Sequence, residues 1–490
     1  VRPRFTVHRC TLFAGAPLSV ASLLLLLALD GPQRAVMAPL LALVNIAGWF
    51  VIVLWNRDSQ LPIFEVGPVC VVVTTIYCSY PLFSFLMAGG RWTPVSDNRL
   101  LHANPGLEEI GAFAWRYVVY LGALALAYLH VRGRATADRM PLQGLSRSAA
   151  TVVIWLFAVL TVYFAAIWIY FGVTYKPTYS DVQLGIVGTS RDLPYLLQQL
   201  SHNLQGALVI IKLCAIALLV QRWHSPASRA LLVGWLAIEV VATGLRMGAR
   251  TETMMLLMAA GLLYHRLVRP LRPSVVGTAG ISLVALSLLY GLGRDFATAR
   301  GLLSDTSAWS AANEFQILLG TAYDLFTLKN AGALESIPWQ VHASEILMLI
   351  PSQILPVEKI SPDAWYLTLL PPQSRGAGLM FGVTSQAIIG YDWIELVARG
   401  VILGMFFALA HRLYVRHAHA FWATLLYLYL CVWAYYTYRS TTFYFLYVVL
   451  YRFVPVMVAV RVGAGLVRSM GRARGPRGAP APATVPCAGS

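Results

Sequence analysis

Apolar residues run along this chain in blocks of about 17–25, the length that carries an α-helix across a hydrocarbon core. The blocks lack the short alternating periods of half-buried strands and surface helices. Twelve of them predict helices over 11–29, 35–55, 62–88, 110–130, 149–172, 198–221, 229–246, 250–266, 274–293, 393–412, 419–438 and 441–461. The first follows Val1-Arg2-Pro3-Arg4 and has the look of a secretory signal. No small-residue cleavage site precedes Asp30, so it reads as a retained span.

The polar positions between blocks set an orientation through the bias of Lys and Arg toward cytoplasmic loops. Arg2, Arg4 and Arg9 precede the first span; Arg57, Arg132, Arg134, Arg139, Arg147, Arg222, Arg266, Arg269, Arg272, Arg412 and Arg416 follow even-numbered ones. Arg461, Arg468, Arg472, Arg474 and Arg477 close the chain. With twelve spans all of these fall on one side, so both termini are expected in the cytoplasm. The expectation is an all-α polytopic membrane protein with nine helices over 1–293, a large outer loop over 294–392 and three helices over 393–461. A disordered basic tail over 462–490 completes it.

Composition excludes the competing classes. Hydrophobic residues make up 58% and charged residues 12% of the 490 positions, against roughly 25% charged in a soluble domain. The 37 Lys and Arg exceed the 21 Asp and Glu, for a net charge of +16. That excess is spread over short loops and the tail, which does not indicate a nucleic-acid partner. The cysteines (Cys10, Cys70, Cys78, Cys214, Cys431 and Cys487) form no CxxC pair, so neither a disulfide framework nor a zinc site is indicated.

Loop 294–392 and its flank hold ten of the 21 acidic residues, from Asp295 to Glu395. Within it, Glu345-Ile-Leu-Met-Leu-Ile-Pro-Ser-Gln-Ile-Leu-Pro is too short to span and ends in prolines, which suits an interfacial or re-entrant helix.

The most informative stretch is Gly244-Leu-Arg246-Met-Gly248-Ala-Arg250-Thr251-Glu252-Thr253. It joins spans seven and eight on the outer side. Thr251 or Thr253 can cap the following helix, whose free N–H groups and dipole favour an anion. Arg246 and Arg250 are one helical turn apart, and their planar forks suit a diphosphate. The competing reading is two arginines snorkelling to the interface. Arg439 in Tyr438-Arg439-Ser440-Thr441-Thr442, and Arg294 and Arg300 after span nine, lie at the same level. Lys212 and Glu239 fall within spans, where charge is costly and often functional. Counted from the outer ends their depths differ by roughly 10 Å, which predicts a loose pair or two separate polar sites.

Gly248-Ala-Arg250, with the Thr/Glu helix start and Met-Met-Leu-Leu-Met-Ala-Ala-Gly-Leu-Leu-Tyr after it, resembles the Gly-x-Arg helix of bacterial O-antigen (Wzy-type) polymerases. The long outer loop fits that family. So does Thr384-Ser385-Gln386…Asp392-Trp393-Ile-Glu395-Leu-Val-Ala-Arg399-Gly400-Val-Ile-Leu-Gly404, which is similar to its approach to a Gly-containing helix.

The resemblance implies a glycosyltransferase of the bacterial inner membrane, without cofactor or metal, that joins undecaprenyl-diphosphate-linked repeat units into polysaccharide on the periplasmic face. It implies membrane lipids, a chain-length regulator and a flippase as partners. Arg250, Arg246, Arg439, Arg294 and Arg300 would hold the diphosphate and stabilise it as it leaves. The general base is sought among Glu314, His342 and Asp295, with Asp324 and Glu345 also on the outer side; related O-antigen ligases use an outer-loop histidine. Trp309, Trp339, Trp365, Tyr366 and Trp393 suit either sugar stacking or an interfacial belt. An O-antigen ligase and a lipid-linked oligosaccharide flippase are the alternatives. A flippase has no need of so large a one-sided loop. A polyprenyl-monophosphate-sugar transferase would show acids in a first outer loop that here is only Asp30-Gly-Pro-Gln-Arg34.

Overall fold

The computed structural model describes residues 5–57, 65–87, 89–90, 105–133, 142–175, 195–245, 250–269, 314–334, 337–351, 354–369, 381–434, 436–439 and 441–473, with short pieces of 271–282. Within these, side chains at 5–14, 56–57, 167–175, 195–203, 242–245, 250–252, 254, 314–317 and 471–473 lie outside the description. The described secondary structure is entirely helical. The long helices are α1 (Phe5–Ala28), α2 (Gly31–Arg57), α3 (Val66–Met87), α4 (Leu107–Arg132), α5 (Arg147–Tyr175), α6 (Tyr195–Gln221), α7 (Pro226–Leu245) and α8 (Arg250–Leu267). The expected ninth span, 274–293, falls almost wholly outside the described residues.

The outer-loop region gives α9 (Glu314–Asn330), α10 (Trp339–His342), α11 (Ser344–Leu347), α12 (Pro362–Leu369) and α13 (Val383–Ile389). The chain ends in α14 (Trp393–Arg416), α15 (Phe421–Trp433), α16 (Tyr436–Arg439), α17 (Tyr444–Val448), a π-helical turn (Val449–Phe453) and α18 (Val454–Ala473).

Seven helical stretches among the described residues are long and apolar enough to cross a membrane: Gly31–Trp55, Val66–Met87, Leu107–Arg132, Arg147–Ala166, Leu204–Gln221, Trp393–Arg416 and Tyr444–Met470. Their outward faces are apolar; α5 turns out Ile154, Trp155, Val159 and Val162. Such faces would be aggregation-prone in water and are satisfied by lipid. The chain is an all-helical, multi-pass membrane protein.

Two findings refine the sequence reading. Within the expected eleventh span, 419–438, α15 ends at Trp433, and the short α16, Tyr436–Arg439, is buried against α3 and α13. The large loop also contributes more than short interfacial helices, because α9 packs on α3 and α13 with Leu319, Ala322 and Asp324 fully buried.

The most extensive packing joins α4 to α14, and the two run parallel. A Cβ at Gly400 would lie 2.7 Å from the Tyr120 carbonyl oxygen, and one at Gly404 would meet the Leu124 carbonyl and lie 3.0 Å from the Ala127 Cβ. Gly400-x-x-x-Gly404 is thus the small-residue face that lets two backbones touch. Gly404→Leu is expected to wedge the pair apart at a cost of about 1–3 kcal/mol. A lowered thermal midpoint of the detergent-solubilised protein would register it, and an unchanged midpoint would contradict this packing.

Contacts divide the bundle into two ends. Arg132 at the end of α4, Arg266 beside Ala418 and Thr424, and Arg468 bonded to Ser146 and Ser148 mark a basic end. The starts of α4, α8, α14 and α17 therefore lie at the other, the site end. Among the described residues the basic end holds a buried ion-pair cluster. Arg132 makes a bidentate pair with Glu65 (2.7 and 2.5 Å), to which Tyr128 also donates, and His411 Nε2 lies 3.8 Å from the same carboxylate.

Candidate functional site

At the site end, α14 enters the bundle after Asp392, whose φ of 51° is a strained, left-handed conformation for a residue with a side chain. That turn is held by Arg116 of α4, which donates to both Asp392 carboxylate oxygens at 2.8 and 2.6 Å. The Arg116 guanidinium is covered by Phe326 and Trp393, at 4.3 and 4.7 Å from the ring centroids.

Two turns into α14, Arg399 forms the hub of a buried polar cluster. Its guanidinium donates to Glu345 (2.7 Å), Glu395 (2.7 Å), Thr442 (2.6 Å) and Gln386 (3.3 Å). Four separate segments thus meet: α11, α13, α14 and the entry to α17. Glu345 also accepts from the Phe443 N–H at 3.2 Å, and Glu395 from the Tyr391 N–H at 3.0 Å. Two carboxyl groups thus share one guanidinium. The carboxylates are not equivalent, for Glu345 is 5% exposed and Glu395 19%.

Around this hub lie polar atoms that have no hydrogen-bond partner among the described residues: Gln386 Nε2, Ser385 Oγ, Ser344 Oγ and Tyr120 Oη. Buried groups of this kind are normally satisfied, so they mark a place for water or for ligand hydroxyls. Below them Tyr438 packs edgewise or tilted against Tyr77, Tyr117 and Tyr120 and shares a 3.2 Å hydrogen bond with Thr384. Lys329 of α9 donates to the carbonyls of Ile388 (2.5 Å) and Gly390 (2.6 Å) at the end of α13, satisfying groups a helix terminus leaves open.

A second polar group surrounds the start of α8. Lys212 of α6 and Glu239 of α7 form a direct 2.8 Å ion pair, with the Trp235 indole N–H donating to the same carboxylate at 3.2 Å. This corrects the expectation of a loose pair. The relevant depth is measured from the tight turn joining the two helices at the basic end. Lys212 lies nine residues before the end of α6 and Glu239 thirteen after the start of α7, an offset of about 6 Å that the lysine stem closes.

Thr253 is buried and its hydroxyl donates to the Glu239 carbonyl at 3.5 Å, so it ties α8 to α7. Lys212→Met should strand Glu239 and cost about 3–5 kcal/mol, read as a depressed thermal midpoint. Adding Glu239→Gln should recover most of it, and equal midpoints for the single variant and wild type would rule out a buried pair.

Of the residues expected at the site, Arg250 opens α8 at the site end, but its side chain lies outside the described residues, as does that of Glu314 at the start of α9. Arg246, Arg294, Arg300 and Asp295 lie wholly outside them, and so does Trp309. Arg439 is part-buried, three residues before Thr442, with its guanidinium 5.6 Å from the Tyr436 ring centroid. His342 is exposed at the end of α10 and takes no described part in the Arg399 cluster. Trp365 and Tyr366 are buried against Phe381, Trp393 lies over Arg116, and Trp339 is exposed.

Glu345 was a sequence candidate; its partner Arg399 was not. Arg116, Arg399 and Arg452 all fall inside expected spans, where a charge is itself a functional signal, but only Lys212 and Glu239 were singled out on that ground.

No family model matches the chain, and no match to it was found among curated proteins or solved structures.

Proposed function

We propose that this protein is a glycosyltransferase of the bacterial inner membrane that joins polyprenyl-diphosphate-linked oligosaccharide repeat units into polysaccharide on the periplasmic face. In this reading it has twelve spans, cytoplasmic termini and its site end outward. One observation carries it: the 384–404 segment with the polymerase resemblance folds around the Arg399 cluster and its unpartnered polar atoms, at the level where the α8 start presents Arg250.

A polymerase needs a cationic place for a lipid diphosphate and a polar chamber for sugar hydroxyls. The acceptor hydroxyl attacks the anomeric carbon as the bond from that carbon to the phosphate oxygen breaks, giving inversion. The diphosphate leaves with the electron pair, and Arg250 with Arg439 meets its charge. Glu395, the more exposed carboxylate of the cluster, takes the hydroxyl proton, its orientation fixed by Arg399 and the Tyr391 N–H. In this reading Glu395 takes the role expected of His342, which is exposed and takes no described part in the cluster, while the Glu314 side chain and Asp295 lie outside the described residues. The large one-sided outer region favours transfer over transport, which has no need of it.

A strain lacking the protein is expected to accumulate single repeat units on undecaprenyl diphosphate. Full-length polymer retained on lipid would instead identify a ligase, and an unchanged lipid-linked pool would refute both.

A further inference from the structure

Arg452 differs from the other two arginines inside expected spans. Arg116 is closed by Asp392, and Arg399 by Glu345 and Glu395. Among the described residues neither a carboxylate nor a hydrogen-bond acceptor is paired with Arg452. Its guanidinium carbon lies 6.0 Å from the Trp433 ring centroid, and the residue is part-buried. It stands in the π-helical turn Val449–Phe453, a geometry that recurs at functional positions in otherwise regular helices. On the α6 side, a Cβ at Gly206 would lie 2.5 Å from Arg452 Cδ and 2.8 Å from Nε. The missing side chain at 206 is what lets the arginine stem lie against α6.

Two helices give its depth independently. Arg468, bonded to Ser146 and Ser148, marks the basic end, and Arg452 lies about 24 Å above it along the helix. Gly206 lies about 22 Å above the end of α6 at Gln221. In a hydrocarbon core of about 30 Å, an arginine at this level reaches the lipid phosphates of the site-end leaflet by snorkelling. Tyr451, next in the turn, donates to the Leu349 carbonyl at 2.8 Å. It thereby holds at the same level an interfacial segment with Ile346 and Ile354 exposed.

We infer that Arg452, seated in the π turn against Gly206 and Trp433, binds the phosphate of a lipid in the site-end leaflet, at a position separate from the Arg250 helix start. The planar fork suits a phosphodiester or a diphosphate. In naming a lipid-linked glycan as the source, the inference rests on the polymerase reading. That enzyme must hold two lipid diphosphates at once, and Arg452 supplies the second.

The test uses the full-length protein in phosphatidylcholine nanodiscs, with undecaprenyl diphosphate or phosphatidylglycerol added as probe and retention read by native mass spectrometry. Arg452→Gln is expected to weaken retention by about tenfold or more, the scale of one charged hydrogen-bonding group. Arg452→Lys should keep part of it. Gly206→Val, which leaves the arginine in place but displaces its stem, should behave like Arg452→Gln and decides the matter if that variant fails to fold. Loss confined to undecaprenyl diphosphate supports the lipid-linked substrate as occupant. Loss confined to phosphatidylglycerol supports the phosphate site and removes its link to the glycan. Unchanged retention of both probes, at a wild-type thermal midpoint, overturns the inference. Because binding is read without glycan transfer, a protein that makes no polymer can still pass or fail this test.

Discussion

Arg399→Gln is expected to abolish polymer formation and to destabilise the bundle by about 3–5 kcal/mol, the scale for breaking one side of a buried ion pair. The size follows from what is left behind. Glu345, 5% exposed, would keep only the Phe443 N–H as a partner, and Glu395 would keep only the Tyr391 N–H of the two groups that orient it. Thr442 and Gln386 lose their common donor in the same step, so α11, α13, α14 and the entry to α17 are no longer tied together. Pairing the change with Glu345→Gln removes the stranded charge and should restore much of the thermal midpoint. It should not restore polymer, because Glu395 still lacks the guanidinium that orients it. An Arg399→Gln protein with wild-type midpoint and normal polymer would show that the cluster neither holds the fold nor serves the reaction.

Arg250→Ala is expected to lower polymer synthesis by about 10²–10³-fold, equivalent to roughly 3–4 kcal/mol of transition-state stabilisation, while leaving the protein folded. The residue opens α8 at the site end, where free N–H groups already favour an anion, and α8 is anchored through Thr253 to the segment bearing Glu239. The start of the helix is therefore held by contacts that do not involve the Arg250 side chain. Arg250→Lys should rescue poorly, because an ammonium keeps the charge but loses the bidentate fork. Near-normal polymer from an Arg250→Ala protein at normal expression would remove Arg250 from the site.

The elements that could be read directly were those set by local pattern. Long apolar runs mark α2, α3, α4, α5, α6 and α14 within a few residues, because the hydrocarbon thickness dictates their length. The short polar-ended run at 345–356 read as too short to span, and the structure breaks it into α11 and turns. The Arg399 cluster could not be read in the same way. Arg399 meets Glu345 and Thr442 across 54 and 43 residues of chain, and only α14's entry angle, set by Arg116 and Asp392, brings them together. The end of α15 at Trp433 carries no local signal, since neither Pro nor Gly falls between Phe421 and Arg439. Counted from their outer ends, where the helices differ in length, Lys212 and Glu239 fall at different depths. The turn at 222–225 is the fixed point, and from there the pair closes.

The most direct measurement is elongation by the purified protein in liposomes carrying a defined undecaprenyl-diphosphate-linked repeat unit. Resolved by gel or mass spectrometry, the lipid-linked glycan is expected to grow into a ladder spaced by whole repeat units, with undecaprenyl diphosphate released for each linkage made. A repeat unit that stays single, with no diphosphate lipid released, from a protein that is folded and correctly inserted would contradict the proposed polymerase.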